Sequence, residues 1–105
     1  MTLGRPLSIA AIMLVSMAVP ACAATIQISM QNLEISPAEV PAKVGDTIEW
    51  INKDVLAHTA TARNGDFDVN LLAKKSATFV VKKPGTVEYY CRYHPNMKAT
   101  LRVEP

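Results

Sequence analysis

From residue 25 onward the chain alternates apolar and polar side chains in short bursts. Ile26, Ile28 and Met30 fall on one side of residues 25–30, with Gln27 and Ser29 on the other. That is the period-two pattern of a half-buried strand. The same reading places strands at 47–52 (TIEWIN), 58–62 (HTATA), 76–81, 87–91 and 99–104. Turn chemistry separates them. Val44-Gly45-Asp46 precedes the second strand, Arg63-Asn64-Gly65-Asp66 carries a hairpin-type Asn-Gly, and Lys83-Pro84-Gly85-Thr86 has the residues of a type II turn. Pro37 and Pro41 interrupt the segment after the first strand, which suits an edge or an irregular connection. No helical period runs through residues 24–105. Short, evenly spaced strands of this kind predict an all-β fold, a Greek-key antiparallel β-sandwich. Met30, Trp50 and Tyr89 are its candidate core residues.

The first residues break the pattern. Arg5 supplies a positive start, residues 7–19 are uncharged and apolar, Pro20 ends the run, and Ala21-Cys22-Ala23 offers the small residues a signal peptidase reads. The apolar run is shorter than the roughly 20 residues needed to cross a hydrocarbon core. The expectation is a signal peptide at 1–23, cleaved after Ala23 or Ala24, and one domain at 24–105 working in a periplasm. A second reading makes Val19-Pro20-Ala21-Cys22 a lipoprotein box with Cys22 lipidated, although proline fits that box poorly.

Composition narrows the function classes. A chain of 105 residues has room for one domain, not for a barrel enzyme or a two-domain dehydrogenase. Its formal charge of +2 excludes a dedicated nucleic-acid binder. Half of the residues are hydrophobic, and much of that excess lies in the first 24. Beyond them only one cysteine remains, so no internal disulfide can staple this small exported domain. A metal is the natural substitute.

The donors for one are close at hand. Cys91-Arg92-Tyr93-His94-Pro95-Asn96-Met97 has the spacing C-x2-H-x2-M between two strands, and the other histidine, His58, opens an upstream strand. One thiolate, two imidazoles and a thioether make a soft donor set, the arrangement of a blue-copper electron-transfer site. Pro95 fixes φ and has no N–H to leave unsatisfied, which helps a tight ligand loop. Structural zinc rarely uses methionine, iron–sulfur clusters need more cysteines, and c-type haem needs C-x-x-C-H. Plainer readings exist for single residues: Cys91 as a buried thiol, Met97 as a core methionine. Lys74-Lys75 and Lys82-Lys83 flank a strand as gatekeepers against edge pairing, with partner docking as a second role.

Cys91-x-x-His94-Pro95-x-Met97 after Glu88-Tyr89-Tyr90, together with Ile48-Glu49-Trp50-Ile51-Asn52-Lys53-Asp54 leading to His58, resembles the cupredoxins. The short loop and the proline directly after the histidine are most similar to the amicyanin branch of that family. The resemblance implies a β-sandwich with one type 1 copper, Cu(I)/Cu(II), near one end, bound by His58, Cys91, His94 and Met97. It also implies a single-electron shuttle rather than an enzyme, a monomer without a membrane span. Its electron donor would be a periplasmic dehydrogenase and its acceptor a c-type cytochrome, with His94 as the port amid an apolar surface of Pro95, Met97 and neighbours. Amicyanins usually carry asparagine after the first histidine, where this chain has Thr59. The hydrogen bond to the cysteine sulfur then falls to the Thr59 backbone N–H. The rival expectation is a copper-binding or delivery protein with the same ligands and no redox turnover.

Overall fold

The computed structural model describes Gly4 and residues 22–105, so the expected signal peptide lies, up to Ala21, outside the described residues. Nine strands follow in order: β1 (Thr25–Gln31), β2 (Glu34–Ser36), β3 (Glu39–Lys43), β4 (Thr47–Asn52), β5 (His58–Ala62), β6 (Asp68–Leu71), β7 (Ser76–Val80), β8 (Gly85–Tyr90) and β9 (Lys98–Glu104). They form a four-stranded sheet, β2-β1-β4-β7, and a five-stranded sheet, β3-β9-β8-β5-β6. No helix occurs among the described residues, and the all-β sandwich expected from the alternation is what forms.

The expectation of antiparallel sheets needs one correction, because both sheets are mixed. β1 runs parallel to β4, with Ile28 opposite Trp50, and β3 runs parallel to β9, with Val40 opposite Leu101. After β2 the chain leaves the first sheet, adds β3 to the edge of the second, and returns as β4. Alternation reports which face of a strand is buried and carries nothing about the direction of its neighbour.

Inward-facing residues of both sheets build the core. In β4, Ile48, Trp50 and Asn52 point in while Thr47, Glu49 and Ile51 are half-buried outside. The Trp50 ring meets Tyr89 edge-on at 5.6 Å and Phe67 at 5.3 Å, and Phe67 continues to Phe79 at 5.0 Å. These tilted contacts suit aromatic quadrupoles better than flat stacking. Buried Trp50 Nε1–H donates to Tyr89 Oη at 3.2 Å, so the core's indole N–H is not left unpaired. Burial pushes the Tyr89 phenol up to about 12, so it stays neutral.

β3 is an edge strand, which explains how it tolerates Pro41. β7 is the edge of the other sheet, and the exposed pairs Lys74-Lys75 and Lys82-Lys83 bracket it. That placement matches the gatekeeper reading. The end opposite the ligand loop is fastened by Asp46. Its carboxylate accepts the Ala24 amide at 2.9 Å and the Lys43 amide at 2.8 Å, tying the start of β1 to the β3–β4 turn. These two bonds hold its pKa below the ordinary 3.8.

Two outcomes follow from this packing. Tyr89→Phe keeps the ring but strands a buried Trp50 N–H, and should cost about 1–3 kcal/mol in urea unfolding. Asp46 titrates lower in the folded than in the unfolded chain, so its contribution is complete above about pH 4. It fades as acid drives the pH below that value. The acid branch of a stability–pH curve should therefore flatten in Asp46→Asn, and an unchanged branch would show that the carboxylate does not stabilise the fold.

Candidate metal centre

All four expected ligands come from the second sheet and its end loops. β5 pairs antiparallel with β8, Thr61 opposite Tyr90, so the start of β5 lies beside the chain that leaves β8. His58 is the first residue of β5, and Cys91 directly follows β8. Residues 91–97 are the loop of the β8–β9 hairpin, whose last pair is Tyr90 opposite Lys98. The loop is closed from within. Cys91 N–H donates to the Met97 carbonyl at 2.9 Å, Met97 N–H to the His94 carbonyl at 2.8 Å, and His94 N–H to the Cys91 carbonyl at 3.2 Å.

The donors converge. Cys91 Sγ lies 3.7 Å from His58 Nδ1 and 3.8 Å from His94 Nδ1, and the three ligand atoms fall within 4.8 Å of one another. The two imidazoles meet edge-on, with centroids 5.2 Å apart. His58, Cys91 and Met97 are buried, at 1%, 0% and 1% exposure, and His94 alone is partly open to solvent. Met97 therefore sits under the loop rather than on the apolar surface expected around His94. The exposed apolar side chains in the loops at this end are Leu33, Val55, Leu56, Leu72 and Tyr93. Pro95 is exposed there too.

The sulfur has one backbone partner, as the threonine after His58 led us to expect: Thr59 N–H points at Cys91 Sγ at 3.4 Å. The Thr59 hydroxyl adds a second link, accepting the Arg92 amide at 2.9 Å.

Two further residues shape the site without having been singled out from the sequence. Asp54 Oδ2 lies 2.8 Å from His58 Nε2, which directs the ring's proton to Nε2 and turns the Nδ1 lone pair toward the cysteine and His94. The carboxylate also accepts the Asn32 and Leu33 amides. Burial alone would raise its pKa, but the bonds from His58, Asn32 and Leu33 outweigh that and hold it below 3.8. Asn52 is buried at the inner end of β4. Its amide nitrogen donates to the carbonyls of Leu56, Leu71 and Leu72, and its oxygen accepts the Asp54 amide. It binds the loop that delivers His58 to the neighbouring β6–β7 connection. Both had signals: a carboxylate four residues before a histidine, and a polar residue in the inward phase of β4.

A buried cysteine sulfur beside two imidazoles, with the Met97 side chain buried at the end of the same loop, is a donor set for a soft, redox-active ion. Comparison with known proteins agrees with this geometry. The cupredoxin-like domain pattern matches residues 6–103. The chain is 30% identical to amicyanin-alpha of Methylorubrum extorquens over 78% of its own length and 74% of that protein's. A copper-containing nitrite reductase from Thermus scotoductus superposes with a TM-score of 0.71 at 25% identity over 77% of this chain, which spans 22% of that enzyme. A reduced amicyanin variant superposes at 0.66 with 24% identity, covering 76% of this chain and 82% of the variant. The chain belongs to the cupredoxin-like family.

Proposed function

We propose that this chain is a periplasmic type 1 copper protein that carries single electrons, with His58 Nδ1, Cys91 Sγ, His94 Nδ1 and Met97 as its ligands. The observation that carries the reading is the convergence of one sulfur and two imidazole nitrogens within 4.8 Å, two of the three donors standing on a loop closed by its own backbone. The donor types fit copper in both oxidation states: thiolate and thioether favour Cu(I), and imidazole accepts either. Bound copper supplies the one-electron couple.

The protein's part is to hold its donors still. Asp54 fixes the His58 ring, three backbone bonds fix residues 91–97, and Thr59 N–H fixes the direction of the sulfur. A frame that does not rearrange between oxidation states keeps the reorganisation cost of electron transfer low. Burial of His58, Cys91 and Met97 leaves no open ligand position for a substrate, which favours a carrier over an enzyme. The same enclosure disfavours ready release to an acceptor, the behaviour of a delivery protein.

His94 is then the port. The loops at its end of the sandwich expose the apolar side chains Val55, Leu56, Leu72 and Tyr93, together with Lys53 and Lys75. A partner fitting this end presents an apolar patch with acidic groups at its rim. The likeness to amicyanin points to a dehydrogenase as donor and a c-type cytochrome as acceptor. Among the described residues no helix is long and apolar enough to cross a membrane.

Loaded with Cu(II), the protein should be intensely blue from thiolate-to-copper charge transfer, and Cys91→Ser should be colourless. A colourless wild type with stoichiometric copper would overturn the type 1 assignment, and copper lost on each redox cycle would favour delivery. Met97→Gln exchanges a weak thioether for a harder oxygen and should lower the reduction potential. Voltammetry showing no fall would remove Met97 from the ligand set.

A further inference from the structure

The hydroxyl that ties Thr59 to the ligand loop does not act alone. Thr59 Oγ1 lies 2.9 Å from Thr61 Oγ1, and Thr61 Oγ1 lies 2.8 Å from Asp68 Oδ1. A carboxylate only accepts, so Thr61 must donate to Asp68. Thr61 therefore has a lone pair for the Thr59 proton, and Thr59 has one for the Arg92 amide. The direction of every bond is set: Arg92 N–H to Thr59, Thr59 to Thr61, Thr61 to Asp68. The chain then closes, because Arg92 Nη2 lies 3.5 Å from the same Asp68 oxygen. Arg92 is held at both ends, by its backbone and by its side chain.

The circuit runs from the surface to the centre of the site. Asp68 and the Arg92 side chain are about half exposed, Thr61 is half-buried, and Thr59 is fully buried. In the exposed ion pair the two charges attract weakly. The hydroxyl bonds, one of them charge-assisted, hold the circuit together.

We propose that Thr61 and Asp68 are positioning residues for the copper site, acting through Thr59. They orient the Thr59 hydroxyl so that it captures the amide next to Cys91, and this keeps Thr59 N–H aimed at the cysteine sulfur. The inference rests on the copper reading for its redox consequence and on geometry alone for the circuit. A hydrogen bond to the sulfur withdraws electron density and favours the reduced ion. A slackened circuit therefore lowers the potential.

The test pairs two readouts on the whole folded chain. Amide hydrogen exchange, measured with and without Cu(I), should quicken roughly two- to tenfold at Arg92 and Thr59 in Thr61→Val and Asp68→Ala, the factor for losing an ordinary hydrogen bond. With copper bound, both variants should show a lower potential, and Thr61→Ser should restore wild-type exchange and potential. Wild-type exchange in Thr61→Val, or a wild-type potential with copper bound, overturns the proposal. Exchange needs no metal, so failure to bind copper would overturn the electron-carrier reading while exchange still decides the circuit.

Discussion

The metal end depends on β5 lying beside β8. Their register, Thr61 opposite Tyr90 and Ala62 opposite Tyr89, carries Thr59 N–H to the Cys91 sulfur and the Thr59 hydroxyl to the Arg92 amide. A slip by one residue would turn His58 to the other face of the sheet and bring a different amide to the sulfur. The register is secured away from the loop, by the aromatic packing of Tyr89 on Trp50 and Phe67. Ligand geometry is thus inherited from the core.

Buried polar groups show the same economy. Asp46, Asn52, His58 and Thr59 are the buried polar residues, and no buried side-chain nitrogen or oxygen among the described residues lacks a partner. Three of the four stand at the metal end. A buried polar network with every member satisfied makes its surroundings rigid, whereas a partly satisfied one is costly. Asn52 uses both amide functions on the backbone of two loops, and Asp54 uses both oxygens on His58, Asn32 and Leu33. The loops around the site are therefore held by protein–protein bonds of their own.

The parts legible in the sequence were those that local chemistry determines. Residues 47–52 and 58–62 are rich in β-branched and other strand-forming residues, and β4 and β5 form at those bounds. Cys91 and His94 announced themselves by spacing and His58 by being the remaining histidine, and these three come together. β2 escaped notice because it has three residues and one inward side chain, Ile35. β3 hid behind Pro41, and β6 behind the exposed Asp68 and Asn70. All three are edge strands, buried less and therefore patterned less. The parallel pairings and the roles of Asp54, Asn52, Thr61 and Asp68 depend on which elements become neighbours. Thr59 and Cys91 are 32 residues apart, and no local period encodes their contact.

Burial and access pull in opposite directions at such a centre. A fully enclosed site would exclude water and hold its donors firmly, yet no partner could approach it closely. An open one would admit partners along with solvent and competing ligands. Here the division falls between residues of one loop. Cys91 and Met97, at its two ends, are sealed against the core, while His94 at its middle keeps an exposed edge. The hydrogen bonds inside residues 91–97 make this division possible, because the loop can raise His94 toward the surface without loosening Cys91 and Met97. Five exposed apolar side chains stand in the loops at that end. A docked partner would bury them and exclude water from the one edge the fold leaves open.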